Sequence, residues 1–448
     1  MLSFIKSIVL IGSITASVCM YGMVSAIETT QSAPDRTPVQ FQEKNATGPH
    51  QSPAKYQPPH KSFCKDLFTS TCMLTGLTNP AAHITGVRYF LPQLTTLRFA
   101  NMGRIDPDVF GRQLGELKSF NESAWCPYWN AFAHTYEVEA QKRLSANGGR
   151  PDSAAQDAFI KAITYYSVSA WPGTTPMRIE AYAKARDLTD RLSPMLDPNM
   201  RKVTLAIAGE EVAGYLHLPS GEGRFPMVII SNGLEGTAQE LAFPLMKYRD
   251  ERIGVFIMEM PGTYALKQPM STASEAVYHG VIDYLAADPR VDPARIAMVG
   301  VSFGGYWSAR MAAKDPRLCC AVVCGAPLKH AFTISNSFGL PAIMVSTLEK
   351  VTGAHSLLDL RSKMEALSFA RGDLYRQIKI PLLIINGDTD TLVGTRDSID
   401  LNRKVASSLL KLYENDDHCA MGHYDQWLDF TFAWLKMQFA LPKDPVMK

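Results

Sequence analysis

The sequence predicts an α/β fold: a mostly parallel sheet with helices on both faces. Three observations carry this. From Lys202 onward, short apolar runs alternate with helix-like segments, the pattern of strands buried on both sides. The five residues Gly300-Val301-Ser302-Phe303-Gly304 follow the apolar run 296–299 and precede a small-residue segment, 305–313, able to start a helix. That is a strand-to-helix elbow, in which a sharp turn holds a serine hydroxyl clear of the sheet. Ahead of all this, residues 62–196 carry helical rather than strand periodicity.

The chain has 448 residues, 46% hydrophobic and 20% charged, enough for one large core and a second unit. A net charge of +2, with no long basic stripe, provides no electrostatic basis for nucleic-acid binding. A small-molecule partner fits this balance. Lys6 precedes an uncharged stretch, 7–27, in which Val24-Ser25-Ala26 places small residues where a signal peptidase reads them. Residues 1–26 are therefore expected to be an export signal, leaving a periplasmic or secreted protein with no stable membrane association. A retained anchor is the alternative, because the stretch is nearly long enough to span a bilayer. Cys19 falls in this leader, leaving seven of the eight cysteines. Cys64, Cys72 and Cys126 could supply one disulfide in an oxidising compartment, whereas Cys319, Cys320 and Cys324 lie in or beside an apolar run and read as buried thiols. No CxxC pair or His-rich cluster suggests a metal, and no cofactor is expected. The oligomeric state stays open, a homodimer included.

Residues 27–61, rich in Pro, Gln, Thr, Ser and Lys, bury too little to repay ordering and read as a linker. Residues 62–196 form an expected helical cap domain. Within it, Ser153 and Gln156 make a capping-box signature, and Phe159, Ile163, Tyr166 and Ala170 recur at helical spacing until Pro172-Gly173. A second helix is expected over 177–192. Tyr165, Tyr166 and Trp171 could line a pocket, although an aromatic stripe at helical spacing more often faces a core.

Residues 197–448 are the expected catalytic domain. Runs at 203–208 and 212–218 alternate as a hairpin about a Gly209-Glu210-Glu211 turn. Runs at 227–230, 253–258, 296–301, 320–324, 382–385 and 409–413 follow as six further strands. Eight strands, the first pair antiparallel and the serine after the fifth, make the alpha/beta-hydrolase plan. The connection 325–379 is too long for a simple crossover; runs at 334–348 and 357–369 suggest helices that roof the site as a lid, or an insertion lying away from it.

A serine hydroxyl needs a base to take its proton and a carboxylate to orient that base. In this plan they follow the serine in the order acid, then histidine, each in a loop at the carboxyl end of a strand. Asn386-Gly387-Asp388-Thr389-Asp390 follows the run 382–385 and puts Asp390 where the acid belongs, with Asp388 as rival and better suited to capping the next helix. Asn415-Asp416-Asp417-His418-Cys419 follows the last run and offers His418; His423 is its competitor. Oxyanion donors are expected from the N–H of Phe303 and, in the loop Ser231-Asn232-Gly233-Leu234-Glu235-Gly236, from the N–H of Leu234. Glu235 is a substrate-side candidate, able to orient a substrate group or act as an extra acid; a solvated loop residue is the equal alternative.

The stretch 203–418 resembles the alpha/beta hydrolases grouped with the fermentation-respiration switch esterase and the fungal yellowish-green pigment hydrolases. The likeness rests on Gly214-Tyr215-Leu216-His217-Leu218-Pro219, Asn232-Gly233-Leu234-Glu235-Gly236-Thr237, Met260-Pro261-Gly262-Thr263, Gly300-Val301-Ser302-Phe303-Gly304-Gly305 and Asp417-His418-Cys419. It implies a helical domain ahead of the core, a triad of Ser302, Asp390 and His418, and Glu235 in the substrate-side loop. It also implies either ester hydrolysis or hydrolytic cleavage of carbon–carbon bonds in β-diketone or aryl-ketone substrates. A prolyl-oligopeptidase-type peptidase shares the core but usually has a propeller in front, and no repeat is present here. A non-catalytic scaffold would usually have lost a triad member. The expectation is an exported serine hydrolase of a small or medium acyl compound.

Overall fold

The computed structural model describes residues 62–333 and 339–440. The expected signal (1–26) and linker (27–61) lie outside the described residues, as do 334–338 in the long connection. The strands are β1 (Met200–Ile207), β2 (Glu210–His217), β3 (Phe225–Ser231), β4 (Gly254–Met258), β5 (Val291–Val301), β6 (Leu318–Cys324), β7 (Leu382–Gly387) and β8 (Ser408–Tyr413). They form one sheet of eight in the order β1-β2-β4-β3-β5-β6-β7-β8. β2 pairs antiparallel with β1 and β4, and every other pairing is parallel. This is the alpha/beta-hydrolase plan expected from the apolar runs.

The hairpin turn is one detail that differs. Ile207 pairs with Glu210, so the turn is Ala208-Gly209, with φ of 52° and 77°, and Glu210 and Glu211 already belong to β2. Two central residues with positive φ twist a two-residue loop in the sense the strands require. Glu210 is also held in place, since its carboxylate accepts from the backbone N–H of Lys267 and Gln268.

Successive residues of each strand face opposite sides of the sheet. Met227 and Ile229 of β3 join Tyr278 and Val281 of the helix Glu275–Ala287 and Trp307 of the helix Phe303–Lys314. Val228 and Ile230 face the other way, into a core shared with Phe99, Trp125 and Phe159 of the N-terminal helices and Trp427 of the helix Tyr424–Ala440. Each such fully buried side chain stabilises the fold by roughly 1.5–3 kcal/mol. Tyr165, Tyr166 and Trp171 all lie in this shared core, and Trp171 also borders the cavity described below.

The expected helix is present as Ser153–Ala170, but it starts one residue earlier than a Ser153 cap implies and is capped differently. Asp152 is the N-cap, its Oδ1 accepting from Ala155 N at 2.7 Å, and Gln156 instead donates to the carbonyl of Pro151. A carboxylate one residue earlier satisfies the orphan N–H of Ala155 and adds a favourable charge at the helix start. The next helix, Pro176–Leu196, runs beyond the expected 192. In the long connection the helices are Ala342–Thr352 and Leu357–Leu367. The first starts after Pro341, because a residue preceding proline, here Leu340, is kept out of helical backbone. Among the described residues there is no disulfide, and Cys64, Cys72 and Cys126 are thiols. Cys64 and Cys72 lie eight positions apart on the single helix Phe63–Leu74, about 12 Å along its axis, beyond the reach of an S–S bond.

The topology positions the site. After β3 the chain moves outward to β4 and then crosses back to β5 on the far side of β3. The loops leaving β3 and β5 therefore emerge side by side, with Ser231 in register with Gly300. Such a switch point at the carboxyl ends of parallel strands is where this kind of sheet opens a crevice.

Candidate active site

Ser302 is the turn between β5 and the helix Phe303–Lys314, at φ 57° and ψ −119°. That strained backbone is pinned by Ser302 N donating to the Cys324 carbonyl at 2.7 Å and by Tyr306 N donating to the Ser302 carbonyl at 3.1 Å. The flanking glycines are steric necessities: a Cβ on Gly300 would lie 1.9 Å from the Gly304 carbonyl oxygen, and one on Gly304 would lie 2.0 Å from that of Ser231. The Ser302 side chain does not cap the helix behind it, so its hydroxyl is free to face the crevice.

Beyond β7, Asp390 sits in a cage of donors. Its Oδ1 accepts from Leu392 N at 2.9 Å and Val393 N at 2.8 Å, and its Oδ2 accepts from Asn386 Nδ2 at 2.9 Å. Asp388 is exposed and accepts from the Thr389 hydroxyl instead.

His418 is held from its backbone. Asp417 accepts from the His418 N–H at 2.8 Å and ties the loop to Thr391, while Asp416 accepts from the N–H of Asp417, Gly422 and His423. Asn386 Oδ1 accepts from Cys419 N at 2.9 Å, so one asparagine braces both the acid and the histidine loop. The imidazole thereby stands between its partners, with Nδ1 2.9 Å from Asp390 Oδ2 and Nε2 2.8 Å from Ser302 Oγ. His423, the competitor, puts Nδ1 on Asp416 at 2.8 Å and its ring against Tyr413.

The electrostatics follow from this geometry. Burial opposes ionisation of Asp390, but His418, the Asn386 amide and the Val393 N–H outweigh it and bring its pKa down to about 2. Burial also works against an imidazolium at His418, yet Cys419 and the adjacent Asp390 carboxylate together hold its pKa well above the ordinary histidine value. Once the ring gains a proton, the charge is stabilised where it forms.

The loop leaving β3 presses against the serine: a Cβ on Gly233 would lie 2.7 Å from Ser302 Cβ. The Gly233 carbonyl accepts from Gly236 N at 2.9 Å. In a trans peptide this turns the Leu234 N–H the opposite way. Phe303 is the first residue of its helix, where N–H groups have no intrahelical acceptor. Leu234 and Ser302 line one cavity, walled by Leu94 and Met102 from the helix Leu94–Gly103, Trp171 just after the helix Ser153–Ala170, Ile343 and Met344 from the helix Ala342–Thr352, and Met421. Glu235 borders it too, 6% exposed, with Oε1 accepting from Gly173 N at 2.5 Å. Among the described residues no group of His, Cys, Asp and Glu is placed to hold a metal ion.

Sequence reasoning missed Asn386, Asp416 and Asp417 as braces and Arg98 as a clamp. Arg98 donates from Nε and Nη2 to the Glu240 carboxylate at 3.1 and 3.0 Å, and from Nη2 to the Glu235 carbonyl at 3.0 Å. An asparagine closing a strand just before the acid loop was a usable signal; nothing local marked Arg98, whose partners lie some 140 positions away.

Among curated proteins, the chain is 24% identical to Esterase FrsA of Vibrio cholerae over 339 residues, spanning 72% of this chain and 78% of the relative. It is 23% identical to Esterase FrsA of Salmonella agona over 344 residues, spanning 73% and 80%. Among solved structures, 2,6-dihydroxy-pseudo-oxynicotine hydrolase is similar at a TM-score of 0.65 and 20% identity, covering 77% of this chain and 95% of that one. AbyA5 is similar at a TM-score of 0.64 and 19% identity, covering 78% and 95%; these two likenesses bear on the fold. The family profile described as Esterase FrsA-like matches residues 114–440, most of the chain and the whole of the sheet. The chain belongs to the FrsA-like esterase family and is a serine hydrolase.

Proposed function

We propose that Ser302, His418 and Asp390 form a catalytic triad hydrolysing esters of small or medium, largely apolar acyl groups. The continuous line of contacts from Ser302 Oγ to His418 Nε2 at 2.8 Å and from His418 Nδ1 to Asp390 at 2.9 Å carries this reading. Ser302 Oγ attacks the carbonyl carbon while His418 Nε2 takes its proton. The oxyanion is received by the N–H groups of Leu234 and Phe303. Collapse expels the alcohol with the proton from His418, leaving an acyl-serine. A water, deprotonated by His418, then attacks that ester, and the acid leaves as Ser302 regains its proton. The methionine, leucine and tryptophan walls favour an apolar acyl chain.

Cleavage of a carbon–carbon bond would need a further acid for the carbanion. Glu235 is the candidate, but its carboxyl is already engaged by Gly173 and Thr347, which favours the ester route. We infer further that residues 62–196 act as a cap and 325–379 as a lid, since both contribute to the cavity wall, and that residues 1–26 direct export, on the small-residue pattern at Val24-Ser25-Ala26. No helix among the described residues is long and apolar enough to cross a membrane.

The test is fluorophosphonate labelling alongside turnover of p-nitrophenyl acetate, comparing wild type with Ser302→Ala. Labelling and turnover that both vanish in the variant are expected; a folded wild type that does not label would defeat the proposal. N-terminal sequencing of chain secreted by the expressing cell should begin at Ile27.

A further inference from the structure

The turn after β3 contains a residue type its backbone does not favour. With Gly233 accepting from Gly236 N, Leu234 and Glu235 are the central residues, and Glu235 has φ 53°. That position of a type II turn suits glycine, and a glutamate there is strained.

The strained residue is held on three sides. Its Oε1 accepts from Gly173 N at 2.5 Å, its carboxyl is hydrogen-bonded to the Thr347 side chain, and its carbonyl accepts from Arg98 Nη2 at 3.0 Å. The Gly173 N–H belongs to the same peptide group as the Pro172 carbonyl, to which Arg178 donates. That peptide is therefore gripped at both ends. Thr347 is 4% exposed on the helix that supplies Ile343 and Met344 to the cavity wall. One side chain thus joins the loop after the helix Ser153–Ala170, the helix Ala342–Thr352 and the turn that presents the Leu234 N–H.

We propose that Glu235 is a positioning residue: it ties the oxyanion turn to the Pro172–Gly173 peptide and to Thr347, and so holds the Leu234 N–H against the place where charge develops. The proposal rests on the serine hydrolase reading above. Burial pushes the Glu235 carboxyl above the ordinary carboxylate range, against Thr347, Gly173, Arg98 and Arg178. Charged or neutral, the carboxyl keeps an acceptor for Gly173 N and a partner for the Thr347 hydroxyl, and a glutamine keeps an acceptor of the same reach.

The experiment compares Glu235→Gly, Glu235→Gln and Thr347→Val with wild type in p-nitrophenyl acetate hydrolysis. Glycine suits the turn's φ but removes the tie. It should lower kcat by about 10- to 100-fold with KM little changed, the mark of a group that acts on the transition state alone. Glu235→Gln should recover most of the activity, and Thr347→Val, which cuts one arm only, should fall between. Wild-type kcat in Glu235→Gly would overturn the proposal. So would a Glu235→Gln as impaired as Glu235→Gly, because that result assigns the loss to the proton of the carboxyl rather than to the tie. If Glu235→Gly lacks a cooperative thermal transition, Thr347→Val decides, and its wild-type kcat counts against the proposal. Failure of the underlying reading is separately visible as an unlabelled wild-type Ser302.

Discussion

Replacing Asp390 with asparagine separates the charge of the acid from its shape. In the wild type, Oδ1 faces two backbone donors, Leu392 N and Val393 N, and Oδ2 faces Asn386 Nδ2 and His418 Nδ1. The backbone donors cannot turn away, so the amide oxygen of Asp390→Asn is expected on their side. Its NH2 then opposes the Asn386 NH2 and points a donor at His418 Nδ1. To accept that hydrogen bond the ring must carry its proton on Nε2, facing Ser302 Oγ, where it can no longer take the serine's proton. A wrong tautomer of this kind lowers kcat by about 10⁴-fold, or about 5.5 kcal/mol of barrier. The buried donor clash removes roughly 1–3 kcal/mol of stability. The pH profile provides an independent sign. Base catalysis needs neutral His418, and the Asp390 carboxylate raises the pKa of that ring, so the acid limb of wild-type kcat/KM should lie above the ordinary histidine value of about 6.5. With the carboxylate gone, the limb should move to lower pH. Hydrolysis of p-nitrophenyl acetate across pH 5–9 measures both effects, with thermal denaturation confirming the fold. Activity within tenfold of wild type and an unmoved acid limb would refute the assignment; exposed Asp388, changed to asparagine, should leave both unaltered.

Asn386→Ala deprives Gly387 N and Cys419 N of their acceptor and Asp390 of a donor; about 3–5 kcal/mol of stability should be lost in urea titration, with kcat down at least tenfold. A loss below about 1 kcal/mol would show that Asn386 is not the brace described. Glu259, fully buried at the end of β4 with Tyr182 and Ala265 N as donors, has its pKa pushed up by burial to about 7. A carboxyl whose folded pKa is raised costs nothing below its unfolded pKa, destabilises the fold increasingly as pH climbs to the folded value, and keeps that cost above it. The stability of Glu259→Gln relative to wild type should therefore rise between about pH 4.5 and 7, by at most about 3 kcal/mol, as read from urea midpoints; a pH-independent difference would contradict it.

What the sequence made legible is what local physics dictates. Near-continuous apolar runs marked the strands because a strand buried on both faces has no polar side to show. Ser302 was visible because the turn around it demands glycine on both sides, Gly300 against the Gly304 carbonyl and Gly304 against that of Ser231. The errors were also local, and each came from competition between neighbouring residues able to play one part. Asp152 and Ser153 can both cap, and the carboxylate took the position. Gly209 can start or end a turn, and Ala208 shared it with positive φ because strand twist rewards that geometry.

The choice between Asp390 and Asp388, or His418 and His423, belongs to a different class. Position after the strand favoured Asp390 over Asp388, but the physical separation comes from Leu392 N and Val393 N closing on Asp390 while Asp388 is exposed. Likewise His423 is excluded because Asp416 takes its Nδ1, and Asp416 is itself placed by the N–H groups of Asp417 and Gly422. These decisions depend on Asn386, which joins two loops some 30 positions apart. The cavity wall is more distant still in sequence, since Leu94, Met102 and Trp171 meet Ile343 and Met344 only once the helices dock on the sheet. On the proposed reading, then, the chemistry is written in short motifs and the acyl preference is not. Substitutions that alter which ester is taken should fall in the helices and in the connection between β6 and β7, where no motif marks them.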